Sequence, residues 1–304
     1  MTGDAGWVSV HAFHHGPLDP LIVDVVHPLV TELAGAGLAD RYFFLRYWDG
    51  GPHLRLRVRP LDQDRRAEVE ALVVARLDRY LRDHPSAATM SAHDYRLVAS
   101  TIGRIEGVGY EPALRPADSV SLIGYRRETH RYGTGESVLA VERHFAESSE
   151  IAMDVLRAFP TSDQLVRAAY AMLLLTWFIA DPEPAVAGPA DPVPPGAVEL
   201  ARQMRSLARE RGGGGAGELA AWARSVAVLR DVLTGLEAAG RFAPVSKGWD
   251  GPSETRPVGG ERGVPAVIDI CAHLVCNRLG VTMDLEAGLR RTALRATYAL
   301  QREA

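Results

Sequence analysis

In the stretch RYWDGGPHLRLRVRP, residues 46–60, the apolar positions Leu54, Leu56 and Val58 alternate with Arg55, Arg57 and Arg59. A period of two is the mark of a strand with one apolar and one polar face. Residues 42–48 form a second apolar and aromatic run, and the Asp49-Gly50-Gly51-Pro52 connection between the two runs predicts a β-hairpin. Upstream, WVSVHAF (7–13) reads as a strand, and Leu21, Val25, Leu29 and Leu33 recur at helical spacing within 18–36. Downstream, Asp62 or Asp64 caps a helix that runs to about residue 82 and buries Val69, Leu72, Val73, Leu77, Tyr80 and Leu81. The stretch after it shows no readable period, and SVSLIGYR (119–126) is strand-like again.

Strand, helix, strand, strand, helix, strand is the split βαβ order of a ferredoxin-like layer. From residue 136 onward the pattern is helical, over 137–158, 162–180, 198–211, 218–239, 265–279 and 284–301. The expected fold class is therefore α+β. A ferredoxin-like βαββαβ layer with an antiparallel sheet occupies residues 1–135, and a mainly helical half, 136–304, packs on it as one compact domain. One sheet face is expected to carry the two helices, which leaves the other to a substrate or to the second half. The Pro-rich segment 181–196 and the run Gly212-Gly-Gly-Gly215 read as connections, and 240–263 reads as a long loop.

Composition narrows the function. The chain has 304 residues, 47% of them hydrophobic, enough for a normal core, and a formal net charge of -4. Direct nucleic-acid binding through bulk charge is excluded, so any anion site has to be local. Two cysteines make no disulfide framework, no signal peptide precedes Trp7, and the apolar run 168–180 is too short to span a bilayer. The reading is a cytoplasmic protein with no membrane segment. GxGxxG, GxxxxGK[ST], GxSxG and HExxH are all absent, which leaves dinucleotide, P-loop, hydrolase-elbow and zincin chemistry without support.

Three clusters carry candidate chemistry. Arg55, Arg57 and Arg59 are either the wetted face of an edge strand or a grip for anions. RRETHRYGTG (126–135) is either a charged turn with a Glu128–Arg131 surface pair or a site at the end of the last strand. In CAHLVCNRLG (271–280), His273 and Asn277 stand one helical turn apart, with Cys276 beside them. Cys271, His273 and Cys276 supply at most three ligands at a spacing that no common zinc module uses, so buried cysteines and an ordinary histidine are the better reading.

Taken together, WVSVHAF, FFLRYWDGGPHLRLR, ETHRYGTG followed by HFAESSEIAMDVL, and HLVCNRLG resemble, in this order and over nearly the whole chain, the C-terminal elimination domain of class I lantibiotic dehydratases. That domain also occurs alone as the thiopeptide-type bacteriocin biosynthesis protein. The resemblance implies removal of glutamate from glutamylated Ser or Thr of a precursor peptide, leaving dehydroalanine or dehydrobutyrine, with no metal or cofactor. A tRNA-dependent glutamylating protein is the implied partner, and a homodimer stays open. By motif, the elimination residues fall on Arg55, Arg57, Glu128, Arg131 and His273. Arg46 and Asn277 are read as further substrate-binding positions.

β-Elimination asks for residues of these types: a base for the Cα proton, donors for the enolate-like carbonyl, and cations for the departing carboxylate. Two other activities belong to the same resemblance. One is the [4+2] cycloaddition of two dehydroalanines that builds a thiopeptide pyridine, a branch that need not keep the glutamate-handling Arg and His set. The other is a non-catalytic peptide-binding subunit of the dehydratase.

Overall fold

A computed structural model of the chain describes residues 6–106, 109–158, 160–184, 186, 193–210, 215–242 and 263–303. They form two compact units, Met1–Arg127 and Glu128–Ala304. The first holds a four-stranded sheet and the second is helical, so the class is α+β. Part of the connection at 181–196, and most of the glycine run and of the loop expected at 240–263, lies outside the described residues.

In the first unit, β1 (Val8–Phe13), β2 (Ala39–Tyr47), β3 (His53–Pro60) and β4 (Ser119–Leu122) lie in the order β2-β3-β1-β4, with every neighbouring pair antiparallel. This is the sheet that the split βαβ order requires. Strand β4 ends four residues short of its expected limit.

Val8, Val10 and Ala12 of β1 stand beside Val58, Leu56 and Leu54 of β3, all of them buried. Directly opposed residues share a face, so this is the apolar one. The helix α3 (Arg66–Asp83) covers it with Val69, Val73, Leu77 and Leu81. Leu72, expected in that stripe, is 37% exposed, and Tyr80 is half-buried. Each lies one residue, about 100°, off the i, i+4 row that faces the sheet.

The expected helix over 18–36 is not uniform. Helix α1 (Leu18–Pro20) passes through a π-helical stretch, Leu21–Val26, into α2 (His27–Gly35). Pro28 has no N–H for the carbonyl of Asp24, and its ring would press on that carbonyl. The widened turn just before it, with the His27 N–H bonded to the Ile22 carbonyl, gives the ring room.

A helix in the unreadable stretch, α4 (Ala92–Glu106), buries Tyr95 and Ala99. The Tyr95 hydroxyl accepts from Gly50 N (2.8 Å) and donates to the Glu111 carbonyl, while Asp49 Oδ1 accepts from Glu111 N (2.6 Å). These bonds hold the β2–β3 turn. Gly50 and Gly51 take φ of 85° and 115°, and a Cβ on Gly51 would meet Leu114 Cδ1 at 2.7 Å. The DGG sequence is thus required both by its backbone and by its surroundings.

In the second unit, a short α5 (Thr129–Tyr132) precedes α6 (Glu136–Arg157), α7 (Ser162–Ala180), α8 (Pro195–Arg209), α9 (Glu218–Ala238), α10 (Gly263–Arg278) and α11 (Met283–Arg302). The Thr161–Gln164 capping box starts α7, which is buried on all sides from Ala169 to Ile179 and packs against α8, α9 and α10. Trp222 Nε1 donates to the Met172 carbonyl and Thr176 Oγ1, both at 3.0 Å, which pins α9 to α7. Among the described residues, no helix is long and apolar enough to cross a membrane.

The α3 stripe makes a direct comparison. Leu77, fully buried, should cost roughly 2–5 kcal/mol when replaced by Ala, and Leu72→Ala should cost under about 1 kcal/mol. Urea titrations of the two variants measure the contrast. Equal losses would mean that the stripe does not carry the packing.

Candidate active site

The sheet face opposite α3 is built from the odd positions of the strands. Arg55 of β3 stands between His11 and Leu45, and Arg57 between Ser9 and Phe43. This face is not a wet one. Arg57 is only 6% exposed, and its guanidinium carbon lies 5.8 Å from the Phe43 ring centroid and 5.5 Å from that of Tyr125. Trp7 packs edge-on against Phe43 at 4.8 Å and completes the aromatic group. The Arg55 guanidinium sits over the Tyr47 ring at 3.3 Å, a cation–π contact. Arg59 is different: it is half-exposed and forks onto Asp40, with Nε donating to Oδ1 at 2.8 Å.

Two histidines complete the face, and sequence reasoning had not singled out either. His53 takes a carbonyl and an arginine at once: its Nδ1 donates to Gly51 O (2.8 Å) and its Nε2 accepts from Arg55 Nε (3.2 Å). That pairing requires a neutral ring. Burial pushes His53 down to about 3, helped by Arg55 and Arg57. His11 stacks on His53 with centroids 4.8 Å apart, and burial together with Arg57 holds it far below the usual histidine range. The available signal was the polar His and Ser inside the apolar WVSVHAF strand.

Arg46 does not join this face. It opposes Leu54, on the side of the sheet that α3 covers, and its guanidinium pairs with Asp19 of α1. The sequence grouped Arg46 with the hairpin arginines, but the hairpin register sets Leu45, not Arg46, opposite Arg55, and adjacent residues of a strand point to opposite faces.

In the second unit, Glu128 and Arg131 form the short-range pair, Arg131 Nε to Glu128 Oε2 at 3.5 Å, both partly exposed. Tyr132 beside them is buried edge-on against Phe145 of α6 at 5.4 Å. The backbone then turns through Gly133 at φ 75°, where a Cβ would come within 2.5 Å of Ser137 Oγ. The RYG of the motif is therefore an anchor, a turn, and a positioned arginine.

His273 and Asn277 lie one turn apart on α10, both half-buried. His273 Nδ1 is 2.8 Å from Oε2 of Glu286 on α11, a carboxylate only 1% exposed. Arg290, fully buried, donates from Nε to Glu286 Oε1 and from Nη1 to Asp269 Oδ1, both at 2.7 Å, and Trp177 Nε1 donates to Asp269 Oδ1 at 2.9 Å. Burial alone would raise the Glu286 carboxyl, but His273 and Arg290 outweigh it and hold the group below its ordinary range. Sequence reasoning missed Glu286 and Arg290 because they lie on a separate helix, α11, and missed Asp269, one turn before His273 on α10, because its partner Arg290 lies there too.

Cys271 and Cys276 are fully buried, and burial pushes Cys271 up to about 12 and Cys276 well above its usual value. They are core thiols. Among the described residues, no group of three His, Cys, Asp or Glu side chains is arranged to hold a metal ion. Arg278 of the same motif is buried too, donating from Nε to Ser149 Oγ of α6 at 3.0 Å.

Two Ser–His–carboxylate groupings do not have the geometry of a nucleophile. Ser86 Oγ donates to Asp118 Oδ1 (2.7 Å), and His14 Nδ1 contacts that same oxygen (2.8 Å). Ser225 Oγ donates to Glu147, and His144 Nδ1 reaches the hydroxyl at 2.8 Å. In both, the hydroxyl hydrogen is directed at a carboxylate, so the imidazole Nδ1 that reaches the serine oxygen (3.1 Å for His14, 2.8 Å for His144) meets it as a donor and not as a base.

Comparison with known proteins identifies the class. The model of the lantibiotic biosynthesis dehydratase C-terminal family matches residues 7–298, and the chain belongs to that family. Among solved structures it is similar to TbtD, the pyridine synthase from thiomuracin biosynthesis, at 18% identity and a TM-score of 0.68, covering 98% of this chain and 99% of that one. It is also similar to the tRNA-dependent lantibiotic dehydratase MibB from Microbispora sp. 107891, at 20% identity and a TM-score of 0.58, over all of this chain and 29% of that one. A third, TsrL, is 17% identical with a TM-score of 0.55, covering 98% of this chain and 95% of that one. At these identities the likeness is one of fold. No curated protein sequence matches the chain.

The two neutral histidines of the sheet face lead to a pH dependence. Both have folded values below the 6.5 of a free imidazole, so the unfolded chain binds protons that the folded chain refuses. Their contribution is complete above pH 6.5 and is lost as pH falls toward 3, by roughly 1.4 kcal/mol per pH unit for each histidine. Urea midpoints at pH 7.5 and 5 should show this loss, and His53→Gln should flatten the slope. An unchanged slope in that variant would remove His53 from the account.

Proposed function

We propose that the chain eliminates glutamate from glutamylated Ser or Thr residues of a ribosomally made precursor peptide. The observation that carries this reading is the pair Arg55 and Arg57, two guanidiniums on one shielded sheet face backed by Tyr47, Phe43 and Tyr125. A solvated edge would leave such arginines exposed. Removed from water, a guanidinium grips a carboxylate more strongly, and a glutamyl ester supplies both a free carboxylate and a second one as it leaves.

In the reaction, the Cα proton of the modified residue is removed, its electron pair forms the Cα–Cβ double bond, and the Cβ–O bond breaks to release glutamate as a carboxylate. His273 is the proton-transfer group, with Glu286 behind it at 2.8 Å. Arg55 and Arg57 hold the glutamyl carboxylates. Arg131 stabilises developing negative charge, Glu128 orients that arginine or binds the glutamyl amine, and Asn277 is a further substrate contact. Arg46, tied to Asp19 on the other face of the sheet, supports the hairpin that carries the arginines rather than meeting substrate.

Glutamylation itself, drawing on glutamyl-tRNA, is assigned to a partner, and the work is done in the cytoplasm where that tRNA is available. The family membership and the likeness to MibB support this assignment.

The likeness to TbtD, nearly end to end in both chains, favours a second reading: the [4+2] cycloaddition that closes a thiopeptide pyridine. One experiment separates the two. Purified protein mixed with glutamylated precursor should strip glutamic acid, followed by mass spectrometry, while His273→Ala and Arg55→Ala should fold and leave the glutamylated peptide. If the wild-type chain leaves glutamate in place but releases the leader from an already dehydrated peptide, the cycloaddition reading replaces elimination. Tight peptide binding with neither reaction would make the chain a non-catalytic subunit.

A further inference from the structure

We infer that Glu286 is a positioning residue that fixes the tautomer of His273, so that Nδ1 keeps its hydrogen for Glu286 and Nε2 is the nitrogen that exchanges a proton with substrate. The inference rests on the elimination reading for its catalytic consequence, and on geometry alone for the tautomer.

Four side chains make the arrangement. Asp269 and His273 are one turn apart on α10, and Glu286 and Arg290 one turn apart on α11, so the two helices present matching pairs. Arg290 bridges both carboxylates and also donates from Nη2 to the Asp269 carbonyl at 3.4 Å. Trp177 of α7 adds a donor to Asp269. The Glu286 carboxylate is therefore held at one oxygen, Oε1, by a fully buried cation, which aims the other, Oε2, at His273 Nδ1.

Two further features hold the carboxylate in place. Thr282 caps the start of α11, and the Glu286 N–H bonds to the Thr282 carbonyl at 2.8 Å, which sets the first turn. A buried carboxylate that cannot rotate accepts a hydrogen bond in one direction. An ionised carboxylate has no hydrogen to give, so the hydrogen between the two groups belongs to Nδ1.

Nothing in the HLVCNRLG motif identifies Glu286, which follows His273 by 13 residues. The same logic applies wherever a carboxylate orients a histidine base: with the wrong tautomer, the ring keeps its place but presents a hydrogen where a lone pair is required.

Glu286→Gln separates these roles. A Gln side chain has one acceptor, and the buried guanidinium of Arg290 claims it. The amide NH2 then faces His273 Nδ1 and turns it into an acceptor, which moves the hydrogen to Nε2.

With 15N-histidine-labelled full-length protein at neutral pH, and His273→Gln to assign the signals, the neutral ring should be the Nδ1–H form in the wild type and the Nε2–H form in Glu286→Gln. An Nε2–H wild-type ring overturns the proposal, and this measurement needs no variant beyond the assignment control.

In single-turnover elimination on glutamylated peptide, Glu286→Gln should lose rate by roughly 100-fold or more, with peptide affinity changed less than about threefold. A switched tautomer at the wild-type rate overturns the catalytic consequence. If the wild-type chain removes no glutamate, the elimination reading falls by itself, and the nitrogen spectra still decide whether Glu286 sets the tautomer.

Discussion

A fully buried guanidinium has to be neutralised where it stands, and Arg290 sets that condition for the helical unit. Its carboxylates come from α10 and α11, and the indole of α7 adds a donor to the Asp269 oxygen that Arg290 bonds. Breaking such a group by removing one member costs roughly 3–5 kcal/mol, because the remaining charge has no water to turn to. The three helices are therefore held in one relative arrangement, and the ring of His273 is held with them. Stability and the orientation of a candidate catalytic group depend on the same bonds.

The sheet unit meets a similar constraint by other means. Arg57 is withdrawn from water among Phe43, Tyr125 and Trp7, and the neighbouring histidines are kept neutral, so they add hydrogen-bonding atoms without adding charge. The low polarity that makes these positions costly also strengthens their attraction for a carboxylate. A cationic face that is partly dry suits an anionic group attached to a peptide better than free ions, which bring a full hydration shell.

Much of the architecture was legible because it depends on local periodicity. The alternation in HLRLRVRP determined which residues of β3 share a face, the DGGP turn determined the hairpin, and the helical repeats of the second unit located α6 to α11 within a few residues. The helix α4 was not legible, since its buried row among the described residues is only Tyr95, Ala99 and Gly103, with a glycine in it and large apolar Leu97 and Val98 exposed. The π-helical stretch before Pro28 was also hidden: periodicity shows that a helix is present, and the proline shows only that something must yield.

The candidate site divides in the same way. Arg55, Arg57, Glu128, Arg131 and His273 stand in recognisable motifs, and the side-by-side placement of the two arginines follows from strand geometry alone. Whether that face was wet or dry could not follow, because alternation is the same for a solvated edge and a shielded one; only the surrounding aromatic rings decided it. Arg46 shows the converse, a residue close in sequence that the pleat turns to the opposite face. Glu286 and Arg290 belong to the site only through side-chain bonds from α11 to His273 and Asp269 on α10, and no spacing in the chain records that contact. Local pattern is carried by neighbours in sequence, whereas burial and the pairing of charges are settled by neighbours in space.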